Sequence, residues 1–182
     1  MRVVFDTCVL VPSFLREVLL ACALVENVDY IVSSRILTEW SRASKTPLHR
    51  LEADVAITQF RKIHAGAIRP EASSLAQFWL PDPNDIHVLG LAVEQSASSI
   101  ITFNKKDFPN SEIQIYGIKI MDPDEFLRNL FKNNADNIPM VLKPILTRVR
   151  NSNAEMSMSE IWKKAWLPQF GRLFHSGPVP RP

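Results

Sequence analysis

Short runs of β-branched and aromatic residues alternate along this chain with longer stretches whose apolar positions recur at helical spacing. That alternation confines it to an α/β fold with a largely parallel sheet. Val3-Val4-Phe5 is the first such run and reads as a buried strand ending at Asp6. Pro12 can open the next helix, because the first helical position needs no N–H donor. Phe14, Leu15, Val18, Leu19, Cys22 and Ala23 then carry the helical period to about Glu26. Tyr30-Ile31-Val32 forms a second strand, with Ser33 or Ser34 as N-cap of a helix bearing Ile36, Leu37 and Trp40. Leu51–His64 predicts a third helix, whereas residues 66–83, with Pro70, Pro81 and Pro83, read mostly as connection, with room for a short strand or turn. Asn84 or Asp85 starts a helix that turns Val88, Leu89, Ala92 and Val93 inward, and Ser99–Phe103 and Gly117–Met121 follow as strands. Asp122-Pro123-Asp124-Glu125 combines a capping acid, a proline at the first helical position and a glutamate three residues on, a start signal for the helix carrying Phe126, Leu127, Leu130 and Phe131. The expected architecture is a doubly wound, mainly parallel sheet with flanking helices, plus a small C-terminal helical extension.

The texture changes after residue 132. Asn133–Pro139 is polar and reads as a linker, which divides the chain into a first domain over 1–132, a helical extension over 140–176 and a frayed tail over 177–182. Within the extension, helical stretches are expected around Val141–Val149 and Ser157–Trp166, with Trp162 and Trp166 on one apolar edge. Charge divides at nearly the same place. Residues 1–139 hold 14 Lys+Arg against 17 Asp+Glu, and residues 140–182 hold 7 against 2. An acidic body suits a site that collects cations, and a basic extension suits phosphates or an acidic partner; a solvated helix face would give the same balance.

A hydrophobic content of 46% excludes disorder throughout. Cys8 and Cys22 lack the paired spacing of a zinc site or a secreted disulfide framework, which suits a reducing cytoplasm. Asp6, Arg16 and Glu17 interrupt the apolar N-terminal stretch, so no membrane association is expected.

In an open parallel sheet, ligands bind outside the carboxyl ends of the strands. Four acids fall there: Asp6 after the first strand, Glu39 in the helix after the second, Asp85 at the helix before Ser99–Phe103, and Asp107 just after that strand. Singly, each is more often a cap or a surface ion pair. Together at one sheet edge they would repel, raising their proton affinity unless cations occupy the space between them. Hard oxygen ligands favour magnesium or manganese, and phosphodiester hydrolysis is the reaction such a centre suits.

Asp6-Thr7-Cys8-Val9-Leu10, Ser34-Arg35-Ile36-Leu37-Thr38-Glu39-Trp40, Pro81-Asp82-Pro83-Asn84-Asp85-Ile86-His87-Val88-Leu89 and Ile101-Thr102-Phe103-Asn104-Lys105-Lys106-Asp107-Phe108 together resemble the PIN-domain family, especially its bacterial VapC-like branch. The resemblance covers roughly residues 2–131. It implies endonucleolytic cleavage of structured RNA with one or two Mg2+ or Mn2+ ions, leaving 5′-phosphate and 3′-hydroxyl ends. It also implies a toxin role beside a cognate antitoxin protein, and a homodimer. By the same resemblance Asp6, Glu39, Asp85 and Asp107 are the acidic metal-site residues, with Thr7, Thr102 and Asn104 as supporting polar groups. Two positions depart from the pattern: Cys8 stands where many relatives have asparagine, and Asn104 where some have an acid.

Arg35, Arg42, Lys105 and Lys106 flank the expected site and could hold RNA phosphates, or simply confer solubility. Asp82, between two prolines, reads as a turn-stabilising side chain. His87 reads as a packing or hydrogen-bonding residue, because metal-activated water needs no histidine. An aspartyl-phosphate phosphatase would need a second acid at position 8, where Cys8 stands. The remaining alternatives are a non-cleaving PIN-like module that grips RNA or protein, and an RNA-processing nuclease without an antitoxin.

Overall fold

The computed structural model describes residues 1–43, 46–133 and 136–177. The expected tail at 178–182 and part of the expected linker lie outside the described residues. The chain groups into two compact units. The first joins Met1–Val11 to Asp29–Met121; the second joins Pro12–Val28 to the chain from Asp122 onward.

The first unit is a five-stranded, all-parallel sheet with helices. In chain order it contains β1 (Arg2–Phe5), α1 (Thr7–Leu10), then, beyond the excursion into the second unit that holds α2 (Ser13–Val25), β2 (Asp29–Ser33), α3 (Ser34–Arg42), α4 (Pro47–Ile63), β3 (Ile68–Arg69), α5 (Ile86–Glu94), β4 (Ser99–Ile101), α6 (Asn110–Ile113) and β5 (Lys119–Met121). The strand order is β3-β2-β1-β4-β5. The chain therefore builds outward from β1 on one side, then crosses to the other side, leaving a topological switch point between β1 and β4, where doubly wound sheets open a crevice. Val3, Val4, Phe5, Ile31, Val32, Ile100 and Ile101 are fully buried, which explains why these strands read as continuous apolar runs rather than alternating ones.

Local chemistry sets the helix ends. Ser33 caps α3, its hydroxyl accepting from the Ile36 N–H at 3.2 Å. The helix expected from Leu51 begins a turn earlier, because Thr46 accepts from the His49 N–H and Pro47 occupies the first turn. Residues 66–83 contribute the short strand β3, paired through Val32 with Ile68 and Ser33 with Arg69. Helices α2 and α5 end alike. Asn27 donates to the carbonyl of Leu24 and Val28 to that of Ala23; Ser96 donates to Val93 and Ala97 to Ala92. These are paired C-terminal bonds of the Schellman type, and they force Asn27 (φ 51°) and Ser96 (φ 52°) into the left-handed region.

The second unit contains α2, α7 (Pro123–Asn133), α8 (Asn137–Ser152), α9 (Met158–Lys164) and α10 (Pro168–Ser176). The expected start signal is realised: Asp122 accepts from the Glu125 N–H at 2.8 Å. Asp124, buried, caps a different helix. Its Oδ1 accepts from the N–H groups of Gln169 and Phe170 at 3.0 and 2.9 Å, fixing the start of α10 against α7. Phe14, Phe131, Trp162, Phe170 and Phe174 form the aromatic core. The expected shared edge of Trp162 and Trp166 does not form. α9 stops at Lys164 in the same paired C-terminal bonding, which throws Trp166 to φ 57° and leaves it 56% exposed while Trp162 is buried. Among the described residues no helix is long and apolar enough to cross a membrane.

Candidate active site

Pairing of β1 with β4 aligns Phe5 with Ile101, so the next residues, Asp6 and Thr102, emerge side by side at the switch point. Both are buried, and the Thr102 hydroxyl donates to Asp6 Oδ2 at 2.7 Å. Asp6 Oδ1 accepts from the Thr7 N–H at 2.6 Å as α1 begins. Both oxygens of Asp6 are thus held before any ligand arrives. Asn104 contributes its backbone N–H to the Thr102 hydroxyl at 3.0 Å, and its carbonyl accepts from the Asp107 N–H at 2.9 Å, which folds the turn bearing Asp107 back toward β4.

Glu39 lies on the second turn of α3, and Thr7 reaches it across α1 and α3. The Thr7 hydroxyl stands 3.0 Å from Oε2 and 3.3 Å from the Ile36 carbonyl. Oε1 accepts from Arg35 Nε at 3.1 Å. His87 Nε2 is also 3.0 Å from Oε1, but off the direction a hydrogen bond needs, so both buried ring nitrogens lack a hydrogen-bond partner among the described residues. Burial lowers the proton affinity of His87 below the usual histidine range, more than the Glu39 charge restores it, and the ring is held neutral. Of the two roles expected of it, packing or hydrogen bonding, His87 is buried beside Glu39 and makes no hydrogen bond among the described residues.

Asp85 receives the effects of the whole acidic group. It sits at the entry to α5, and its pKa is pushed up to about 7, first by burial and then by the charges of Asp6, Asp82, Asp107 and Glu39. Its Oδ2 is buried and has no hydrogen-bond partner among the described residues. Asp82 fills the turn role expected of it, with Oδ1 accepting from the Asn84 N–H at 2.9 Å, and adds a fourth negative charge to the field on Asp85. Among the described residues, no three His, Cys, Asp or Glu side chains stand close enough to ligate one ion directly. The acids share a field without forming a ready-made cage.

Cys8 occupies part of this pocket. Its thiol lies 3.1 Å from Asp6 Oδ2, and its sulfur accepts from the Phe103 N–H at 3.3 Å. Burial, reinforced by Asp6, pushes the thiol up to about 12, so it stays protonated and donates to Asp6. Of the flanking cations, Arg35 is half-buried against Glu39 and the Asn84 carbonyl, while Arg42, Lys105 and Lys106 are exposed.

A family model described as PIN domain matches residues 2–106, more than half of the chain. The chain belongs to the PIN-domain family. The chain is also similar, at 46% identity over 43 residues, to a Mycobacterium tuberculosis protein named "Putative ribonuclease VapC50". That stretch is 24% of this chain and 25% of the relative, so the match spans about a quarter of either protein. No solved structure matches the chain. The family match ends at residue 106, just short of the Asp107 carboxylate, and leaves α7 to α10 outside it.

Proposed function

We propose that this PIN-domain protein is a divalent-cation-dependent endoribonuclease, with Mg2+ or Mn2+ as cofactor, and that it serves as the toxin of a toxin–antitoxin pair. The observation that carries the reading is the buried, unpartnered Oδ2 of Asp85 within the field of four other carboxylates. A carboxylate so placed is destabilised unless a cation shares its space, and the donor set is all hard oxygen. Asp85 and Asp6 would hold the ion, with Asp107 and Glu39 nearby. Magnesium keeps several waters and takes one or two carboxylates directly, which agrees with the lack of a closed three-ligand cluster among the described residues. When bound, such an ion supplies a water of lowered pKa and offsets charge on a phosphodiester.

The side chains around it do the positioning. Thr102 and Thr7 lock Asp6 into one orientation, and Thr7 ties Glu39 to the same edge. Lys105, Lys106 and Arg42 carry exposed positive charge that would draw RNA phosphates, and Arg35 would do so on leaving Glu39. A cognate antitoxin and a homodimer accompany the toxin reading. Both rest on the resemblance to the VapC-like branch of the family.

A second reading has one observation in its favour: without a preformed ligand cluster among the described residues, the fold could grip RNA or protein and leave it uncut. Incubating the purified chain with total RNA, with and without Mg2+ or Mn2+, separates the two. Cation-dependent cleavage that Asp6→Asn abolishes is the expected result. Cleavage of equal rate by Asp6→Asn overturns the mechanism, and no cleavage by the parent favours the gripping module.

A further inference from the structure

We propose that the cleft between α9 and α10 is a binding site for single-stranded RNA, taking one nucleotide and its phosphate. The ribonuclease reading above supplies RNA as the polymer; the cleft itself supplies the site. It has a volume of about 290 Å3, at the small end of ligand pockets, and suits a single nucleotide better than a protein helix.

Its construction is specific. Trp162 forms the floor and is fixed by edge and tilted contacts with Phe14, Phe170 and Phe174. A Cβ on Gly171 would stand 2.5 Å from the Trp162 ring, so only glycine lets α10 approach the floor this closely. The rim is formed by Lys163 and Arg172, both exposed, with Ser159 and His175 beside them. Among the described residues no carboxylate lines the cleft. The adjacent Glu160 is committed to the Ser157 N–H and hydroxyl in a capping box.

The histidine adds a directional donor. Trp162 Nε1–H lies 3.2 Å from His175 Nε2, and an indole nitrogen can only donate. Nε2 is therefore the acceptor, which leaves the imidazole proton on Nδ1, where it can donate to an anionic or carbonyl oxygen. Lys163 and Arg172 meet phosphate charge, and the exposed Arg172 guanidinium and His175 imidazole offer the planar surfaces on which a single-stranded base stacks, whereas the Trp162 ring is buried and takes no base. An acidic peptide would satisfy the charges and leave the planar groups unused.

The test uses the full chain carrying Asp6→Asn, to prevent cutting, and a short fluorescent oligouridylate followed by anisotropy across a salt series. Lys163→Ala with Arg172→Ala should weaken binding and reduce the salt slope by roughly 1.4, about 0.7 for each single-strand phosphate that is no longer neutralised. Arg150→Ala with Lys164→Ala removes the same charge from exposed positions outside the cleft, and should retain more of both affinity and slope. Ser159→Trp fills the cleft, keeps its charge, and should weaken binding on the order of tenfold. All five positions are exposed, and circular dichroism checks the fold. If Ser159→Trp does not fold, the two charge pairs decide. Indistinguishable charge pairs, or an unchanged affinity in folded Ser159→Trp, overturn the proposal. So does an oligoglutamate that binds the parent through Lys163 and Arg172 while RNA binding survives their loss. The ribonuclease reading fails separately, by absence of RNA cleavage in the parent with Mg2+ or Mn2+.

Discussion

The Thr102 hydroxyl donates to Asp6 Oδ2 at 2.7 Å, joining the ends of two parallel strands that lie 96 residues apart in the chain. Both groups are buried, so the bond is charge-assisted and shielded from water. Thr102→Val keeps the shape and removes the donor. It should cost about 1.5–3 kcal/mol, the range for a buried hydrogen bond to a charged group. Urea denaturation of parent and variant measures this, and a loss well under that range would mean that the Cys8 thiol, 3.1 Å from the same oxygen, compensates.

The strands and the place of Asp6 at the end of β1 were legible in the sequence, because buried parallel strands are short and apolar and the polar residue that follows stands out, although β4 ends at Ile101, two residues short of the expected Phe103. Ser33 and Asp122 were legible as caps for the same local reason. What depended on distant chain segments was not. The tie from Thr7 to Glu39 spans 32 residues, and the contribution of Asp82 to the field on Asp85 coexists with a turn role that explains it fully in sequence. Helical spacing placed Trp166 beside Trp162. The helix ends between them because Leu167 and Trp166 donate back to Trp162 and Lys163, a closure no periodicity signals. The grouping of α2 with the C-terminal helices is likewise a product of packing, and it crosses the single cut suggested by the polar stretch after residue 132.

Asp85 makes the cation-free protein sensitive to pH in a defined direction. Its folded pKa of about 7 stands above the ordinary 3.8, so between these values the folded chain holds a proton that the unfolded chain has released. Stability should therefore fall as pH rises from about 4 to about 7, and the loss should be complete above that. His87, with its proton affinity lowered by burial, acts oppositely by destabilising the fold as pH falls below the ordinary histidine value. Thermal unfolding in chelator should show the Asp85 contribution as the difference between parent and Asp85→Asn. Adding Mg2+ or Mn2+ at pH 8 should raise the parent's Tm and leave Asp85→Asn nearly unchanged. Superimposable profiles for the two proteins would remove Asp85 from the centre of the site.

Cys8 should behave as an inert thiol. Its pKa of about 12 leaves almost no thiolate at pH 8, and Cys22, buried among apolar side chains, is pushed up as well. Ellman's reagent should therefore modify neither in the folded protein and both after denaturation. Rapid reaction of one thiol in the native state would show that the pocket beside Asp6 opens to solvent more than its hydrogen bonds imply.

Ser96 offers a gain in stability that leaves the acidic pocket untouched. It closes α5 at φ 52°, donating to Val93 while Ala97 donates to Ala92, and a residue with a Cβ pays there for conformational crowding that glycine avoids. Ser96→Gly should stabilise the fold by about 1 kcal/mol, the order of the left-handed penalty, reduced by glycine's larger freedom in the unfolded chain. Asn27 closes α2 with the same bonding, but its side chain tolerates this region better, so Asn27→Gly should gain less. Denaturant midpoints for the two variants test the ranking. Equal gains would show that the backbone closure, rather than the side chain placed on it, sets the energy of these helix ends.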